Sequence, residues 1–200
     1  MAERSDLYRN TYSQFNEHVP QIIRKEAFGV DIGQNSWLTV DEYDRLLPWL
    51  RLTPECHLLG VATGSGGPTL YLTKTIGCRV TGVDANKEGV TRALQMADSS
   101  NQTSRVCFTV ADANVHLPFE DNSFDAVLCM DAMNHLPDRL AVLREWQRIL
   151  RPGHRALFTD PVVITGPVTN DELALRSSIG VFLFVPPGIN ERLIGKQAFD

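Results

Sequence analysis

Between residues 57 and 161, short apolar runs alternate with stretches of helical spacing, and this alternation restricts the fold more than any other feature. "HLLGV" (57–61) reads as a strand, and "PTLYLTKTI" (68–76) as a helix that Pro68 can open in its first turn. "CRVTGVD" (78–84) is a second strand, followed by "KEGVTRALQMADSS" (87–100) as helix. "RVCFTVAD" (105–112) and "FDAVLCMD" (124–131) give two more strands. "RLAVLREWQRIL" (139–150) is a helix stopped by Pro152-Gly153, and "RALFTDP" (155–161) a fifth strand. Strands separated by helices predict an α/β fold, a doubly wound and mainly parallel sheet with helices on both faces. Such sheets bind ligands beyond the carboxyl ends of their strands, so function is sought in the polar residues that end each strand.

The flanks carry less information. "YRNTYSQFNEHVPQIIRKEAF" (8–28) has apolar positions at mixed helical spacing, and "GVDIGQNSW" (29–37) is a loop. Thr39 with Glu42 three residues later is a capping signal, and Pro48 is placed to kink or end the helix that follows. The expected division is a helical lid over 1–45, a ligand-binding core over 46–161, and a substrate-side cap or shortened end over 162–200. In that last part either "GVFLFVP" is recruited as a strand, or "ERLIGKQAFD" is a helix with no strands after it. The second case leaves an exposed sheet edge, which predicts a homodimer or an altered terminal arrangement.

Composition excludes several classes. The 43% hydrophobic content over 200 residues suits one core, and a formal net charge of −5 without a clustered basic face argues against nucleic acid. No apolar run approaches a membrane span and the start lacks the apolar heart of a signal peptide, so the expected location is cytoplasmic. Cys56, Cys78, Cys107 and Cys129 show no metal spacing and read as reduced core cysteines; no metal is expected. Trp49 and Trp146 sit in helical patterns and read as packing residues.

The glycine turn "GVATGSGGP" then decides the ligand class. It lacks the lysine of a phosphate-binding P-loop, and a dinucleotide fingerprint started at Gly64 and Gly66 finds Thr69 at its third glycine. What remains is a tight strand-to-helix turn whose bare backbone at Gly64 and Gly66 lets a ligand lie close. Asp84 ends the second strand 20 residues after Gly64, where an acid can accept both hydroxyls of a ribose. Turn and acid together indicate a cofactor containing a nucleoside.

Five segments in register name a family. "GVATGSGG", "GVDA", "ADAN", "LPFEDNSFDAVLCMDAMNHL" and "LREWQRILRPGHRALFTDP" resemble the class I S-adenosylmethionine-dependent methyltransferases over about residues 28–161. The resemblance implies a Rossmann-like sheet, S-adenosyl-L-methionine as cofactor, and methyl transfer to a small-molecule N, O or C acceptor. It places Ala62, Thr63, Gly64 and Gly66 beside the methionine part of the cofactor and Asp84 on its ribose. Ala85 would flank the adenine, Asp112 and Ala113 would meet its amino edge, and Met130 would lie beside the transferable methyl. Asp131 and His135, four apart, would share one face of a helical turn. That spacing, with "FGVDIGQNSWLTVDEYDRLL" before the first strand, is similar to the phosphoethanolamine N-methyltransferases, and the chain as a whole also resembles the methyltransferases of ubiquinone and menaquinone biosynthesis. In the former group the pair binds the amine and supports its deprotonation, a role a histidine of near-neutral pKa suits. The arginine that the group places before the aspartate is Met130 here, and its amino-terminal tyrosine does not align clearly with Tyr8 or Tyr12; both departures put a phosphorylated acceptor in doubt. Trp37, with Gln34 and Ser36, is expected to cover the cofactor.

Two positions depart from the family. Its first strand ends in an acid where this chain has Gly60, which predicts weakened cofactor affinity, and "RPGG" is "RPGH", which predicts strain at His154. These departures keep a second reading alive, a degenerate fold that binds cofactor or a partner without turnover. A nicotinamide-dependent reductase would share the ribose logic, but the third glycine and a Tyr-x-x-x-Lys pair are missing.

Overall fold

The computed structural model describes residues 12, 14–15, 17–160, 169, 171–172 and 185–196. The expectations for Tyr8, for most of "GVFLFVP" and for the rest of 161–184 lie outside the described residues. In chain order the elements are α1 (His18–Phe28), α2 (Val40–Leu46), a 3-10 turn (Leu47–Leu50), β1 (His57–Val61), α3 (Gly67–Ile76), β2 (Arg79–Asp84), α4 (Lys87–Ser99), β3 (Val106–Val110), β4 (Phe124–Cys129), a 3-10 turn (Met133–His135), α5 (Arg139–Ile149), β5 (Leu150–Phe158) and α6 (Ile189–Gly195). The five strands form one parallel sheet in the order β3-β2-β1-β4-β5. The order reverses between β1 and β4, which makes the crevice beyond their carboxyl ends the ligand position of such a sheet.

Successive strand residues face opposite ways, and both faces of the central strands are covered. Leu58 and its neighbours Val80 and Ala126 pack with Tyr43 of α2, Leu47, Leu50 and Leu72 of α3. Leu59, Val83 and Val127 pack with Val142, Leu143, Trp146 and Ile149 of α5. Each fully buried Leu or Val adds about 1.5–3 kcal/mol of apolar burial. A third cluster sets Phe108 of β3 against Leu70, Val90 and Ala93. Gly66 and Gly82 serve this packing, because a Cβ on either would fall 2.8 Å or 2.4 Å from the Phe108 ring.

Local signals act as their residues dictate. Thr39 and Glu42 close a reciprocal capping box on α2, and α2 gives way to the 3-10 turn that contains Pro48. Asn86 caps α4 by accepting from the Gly89 amide at 3.0 Å, and Asp138 caps α5. β5 begins at Leu150, earlier than expected, because residues 151–154 bulge out between the Phe124–Leu150 and Ala126–Arg155 pairs. Gly153 takes the positive φ of that bulge (+78°) and His154 does not, so the expected strain at His154 is absent. Trp146 is fully buried as expected, but Trp49 is 68% exposed and contributes its carbonyl, which accepts from Arg155 at 2.9 Å. Of the cysteines, Cys78 and Cys129 are buried, Cys56 is half-buried, and Cys107 is exposed on edge strand β3 rather than in the core. No helix among the described residues is long and apolar enough to cross a membrane, and no group of three or more metal-ligating side chains occurs among them.

Candidate functional site

The chain leaves β1 through Ala62, whose φ is +53°, a conformation that costs a residue with a Cβ about 1–2 kcal/mol. Thr63 then donates its amide to the Val83 carbonyl at 3.1 Å, which ties the turn to β2. The Gly64 amide donates to Asp84 Oδ2 at 2.7 Å and the Asn86 amide to Asp84 Oδ1 at 2.8 Å. Burial pushes the Asp84 carboxyl above its ordinary value, while those two amides and the nearby His135 pull it back only in part. Ala85, next in sequence, is exposed.

Gly64 is bare for a different reason from the one expected. A Cβ there would lie 2.4 Å from the Tyr12 hydroxyl, so the space over this glycine belongs to the amino-terminal segment. Tyr12 itself is buried, and its carbonyl accepts from Arg92 of α4 at 3.2 Å. The glycine at 60 is filled in a similar way. A Cβ would meet the Thr63 methyl at 2.6 Å and the Thr69 hydroxyl at 3.3 Å, so two threonines occupy the room that an acid at this strand end would need.

Across the switch point, β4 ends at Cys129 and Met130, and Asp131 takes a φ of +51°. Its amide donates to Thr159 Oγ1 at 2.8 Å, and Thr159 Oγ1 donates back to Asp131 Oδ1 at 2.7 Å. Asp131 Oδ2 accepts from the Trp37 amide at 2.7 Å. Both oxygens of this carboxylate are thus engaged with protein. The expectation that Asp131 and His135 share a helical face fails, because Asp131 precedes the single 3-10 turn of Met133–His135 and stands outside it.

The Trp37 bond closes a strap. At its other end Gly33 accepts from Ser65 Oγ at 2.9 Å, and a Cβ on Gly67 would strike the Ile32 and Gly33 carbonyls. Residues 33–37 therefore run from the start of α3 to the end of β4, over the mouth of the crevice. Buried Gln34 stiffens the strap from within, accepting from the Ile32 amide at 2.9 Å and donating to the Val30 carbonyl at 3.2 Å. Ser36 hydrogen-bonds the Tyr43 hydroxyl at 3.1 Å, and the Trp37 ring is 83% exposed. Gln34 and Ser36 thus hold the strap to the body, while the indole lies open to solvent.

The remaining expected residues divide. Asp112 is exposed and its carboxylate accepts from the Asn114 amide at 2.9 Å, forming a tight turn after β3, whereas Ala113 is buried in the α5-side core. Met130 is half-buried against the Tyr43 cluster. Cys129 lies among Asp160, Asp131 and Asp84, and burial followed by those charges pushes its thiol up to about 12, so it stays protonated. Asp160 itself is paired with buried Arg139, and Asn190 of α6 donates to Asp160 at 2.8 Å, which docks the carboxy-terminal helix beside the crevice. Thr159 and Asn134 escaped the sequence reading, which named Tyr12 without giving it a place over the glycine turn. Asn134 and Thr159 lay inside quoted segments, but nothing in their spacing marked them.

The comparisons with known proteins show the family and the fold. The profile of a family described as a methyltransferase domain matches residues 59–158. The chain is 36% identical over 124 residues to the 27-O-demethylrifamycin SV methyltransferase of Amycolatopsis mediterranei, covering 62% of this chain and 45% of that protein. It is 32% identical over 149 residues to the sterol 24-C-methyltransferase erg6 of Schizosaccharomyces pombe, covering 74% and 37%. The chain therefore spans less than half the length of these relatives. Phosphoethanolamine N-methyltransferase 2 of Haemonchus contortus, solved with phosphomonomethylethanolamine and S-adenosylhomocysteine, superposes with a TM-score of 0.79 at 23% identity over 97% of this chain and 44% of that one, a likeness of fold. With the profile spanning half of the sequence and lying over the strands that build the crevice, the chain belongs to the methyltransferase domain family.

Proposed function

We propose that the chain binds S-adenosylmethionine across the carboxyl ends of β1, β2 and β4 and transfers its methyl group to a small-molecule acceptor. The observation that carries this reading is Asp84. Each of its oxygens takes one backbone amide and keeps a lone pair, so a half-buried and oriented carboxylate is left to accept from the two hydroxyls of a ribose. Exposed Ala85 leaves a flat flank for the adenine, and the Asp112 turn lies at its edge. The turn from Ala62 to Gly66, with Met130 opposite, would take the methionine end. Gly60 provides no carboxylate there, and the threonines that fill its place are neutral.

A methyl on a sulfonium is already activated, so the protein needs no covalent intermediate. What the chain must do is hold the acceptor in line, exclude water and remove a proton where one is released. The strap of residues 33–37 covers the crevice. His135 is assigned as the base; Asp131, with both oxygens used, positions the strap and the β4 end. Residues 46–161 form the cofactor-holding part in this reading, with 1–45 and 162–200 on the acceptor side. The acceptor is uncharged or cationic, because Asp84, Asp131 and Asp160 ring the Cys129 end of β4.

Isothermal titration with S-adenosylhomocysteine tests the cofactor assignment: the wild-type chain binds and Asp84→Ala loses about a hundredfold in affinity. His135→Ala separates catalysis from a binding-only fold. It is expected to lower methyl transfer about a hundredfold while leaving the affinity for S-adenosylhomocysteine within a factor of about two.

A further inference from the structure

We propose that Asn134 selects the methyl acceptor, and that the atom methylated is a hydroxyl oxygen or an amine nitrogen still bearing hydrogen rather than an alkene carbon. The inference rests on the methyl-transfer reading and narrows it. Asn134 is 3% exposed, and its Oδ1 has no hydrogen-bond partner among the described residues. It lies on the 3-10 turn that leaves β4, three residues after Asp131 and one before His135. The turn's other core residues are apolar: Met133 is fully buried and Leu136 nearly so. A carbonyl oxygen taken out of water into such surroundings loses free energy unless a donor reaches it. Three other buried polar atoms share this condition, on Gln102, Asn114 and Trp146, but Asn134 alone of the four stands beside the assigned base.

The two carboxylates at the ends of β2 and β4 are both satisfied by protein donors. Asp131 has three hydrogen bonds, one to the strap and two to Thr159 just past β5, and Asp84 has two. An unmet acceptor amid that economy is explained by a donor that arrives with the substrate. An O–H or N–H group supplies one, whereas an alkene supplies none and leaves the amide unmet in the complex. A site built around such a bond rejects the analogue that lacks it far more strongly than an apolar pocket can. The chemistry balances with the same groups. The acceptor heteroatom forms the new bond to the methyl carbon with its lone pair, the carbon–sulfur pair goes to sulfur, and the heteroatom's proton passes to His135.

The test compares wild type with Asn134→Leu in three measurements. Replacing an unmet acceptor by an apolar side chain is expected to keep or raise Tm, whereas a fall of more than about 4 °C would show that the amide supports the fold and would overturn the proposal. Affinity for S-adenosylhomocysteine is expected to stay within about twofold; a larger loss would mean that Asn134 reads the cofactor instead. Transfer of labelled methyl to catechol, sarcosine and the uncharged alkene squalene is expected on a hydroxyl or amine, with KM raised about tenfold or more in the variant and kcat little changed. Labelling of the alkene by the wild type refutes the inference. If none of the three is labelled, the Tm and titration results decide it. Failure of wild type to bind S-adenosylhomocysteine at all instead brings down the methyl-transfer reading beneath it.

Discussion

The two ends of the sheet spend their polar residues in opposite ways. At the amino ends of the strands, Asp125 Oδ2 accepts from the His57 amide at 2.7 Å, and Oδ1 pairs with Arg151 and, at 3.6 Å, with His154. The His57 ring hydrogen-bonds Thr81 at 2.9 Å and packs on Phe124. Burial opposes charge on Asp125, but the Arg151 guanidinium and the His57 amide outweigh it and hold the carboxyl below its ordinary value. Positive φ falls here on Gly153 and, in the segments leading into β1, β3 and β4, on Arg51, Asn101 and Asn122. At the carboxyl ends, two residues with side chains, Ala62 and Asp131, take positive φ, Asp84 is raised, and Asn134 lacks a partner. Both ends hold side-chain-bearing residues at positive φ, so strain alone does not separate them; the two carboxylates do, one lowered by a charged partner and the other raised by burial. A carboxyl raised by burial beside a crevice marks a candidate working site.

The largest expected effect falls on Asp84. Its replacement by alanine costs about 2.7 kcal/mol of affinity for S-adenosylhomocysteine, the equivalent of the hundredfold loss. The pH dependence sharpens the point. A carboxyl raised in the fold favours the folded chain while protonated, and that contribution is lost as pH rises through its folded pKa. Binding runs the other way, because sugar hydroxyls need the ionised form. Affinity is therefore expected to be level near neutrality and to fall on acidification at a pH above the 3.8 of an ordinary aspartate, an inflection absent from Asp84→Ala.

Asp125→Asn attacks the other end. Losing the charged pair with Arg151 is expected to cost about 1–2 kcal/mol of stability, read by urea unfolding, with S-adenosylhomocysteine affinity unchanged. Asp125 is lowered in the fold, so its contribution is present at neutral pH and disappears as pH falls through that lowered pKa. Wild type and variant should converge in acid. A comparable loss of ligand affinity in this variant would break the division between the two ends.

How much of this was legible beforehand depends on which physical quantity a residue reports. The strands and helices of 57–161 follow apolar period, which is local, and β1 matches its expected bounds at both ends. Asp84 was legible because a strand end and its distance from the glycine turn are both visible along the chain. Asp131 was expected to share a helical face with His135 and instead bonds Thr159 and Trp37. A spacing of four says "one helical face" only where a helix exists, and the Thr159 and Trp37 bonds that shape this corner come from 28 and 94 residues away. Gly60, Gly64 and Gly66 look alike as letters, yet what fills the space beside each is a pair of threonines, Tyr12 and Phe108 respectively. Which neighbour crowds a glycine is a property of packing, and no single sequence displays it.

The smallest expected effect distinguishes strain that serves the site from strain the fold merely tolerates. Ala62 holds φ +53° between β1 and the glycine turn, and its neighbour Thr63 is fixed to Val83 while filling the space over Gly60. Ala62→Gly removes the Cβ penalty, about 1–2 kcal/mol, but returns part of it as extra freedom in the unfolded chain, about 0.4–1 kcal/mol. The net expectation is a gain of a few tenths to about 1 kcal/mol in urea unfolding, with no change in S-adenosylhomocysteine affinity. If affinity falls in step with the stability gain, the alanine is holding the turn in the geometry the ligand needs, and the strain at this end belongs to binding. If stability instead declines, the methyl group of Ala62 packs more than its half-buried position suggests, and the contrast between the two ends rests on the raised Asp84 and the lowered Asp125.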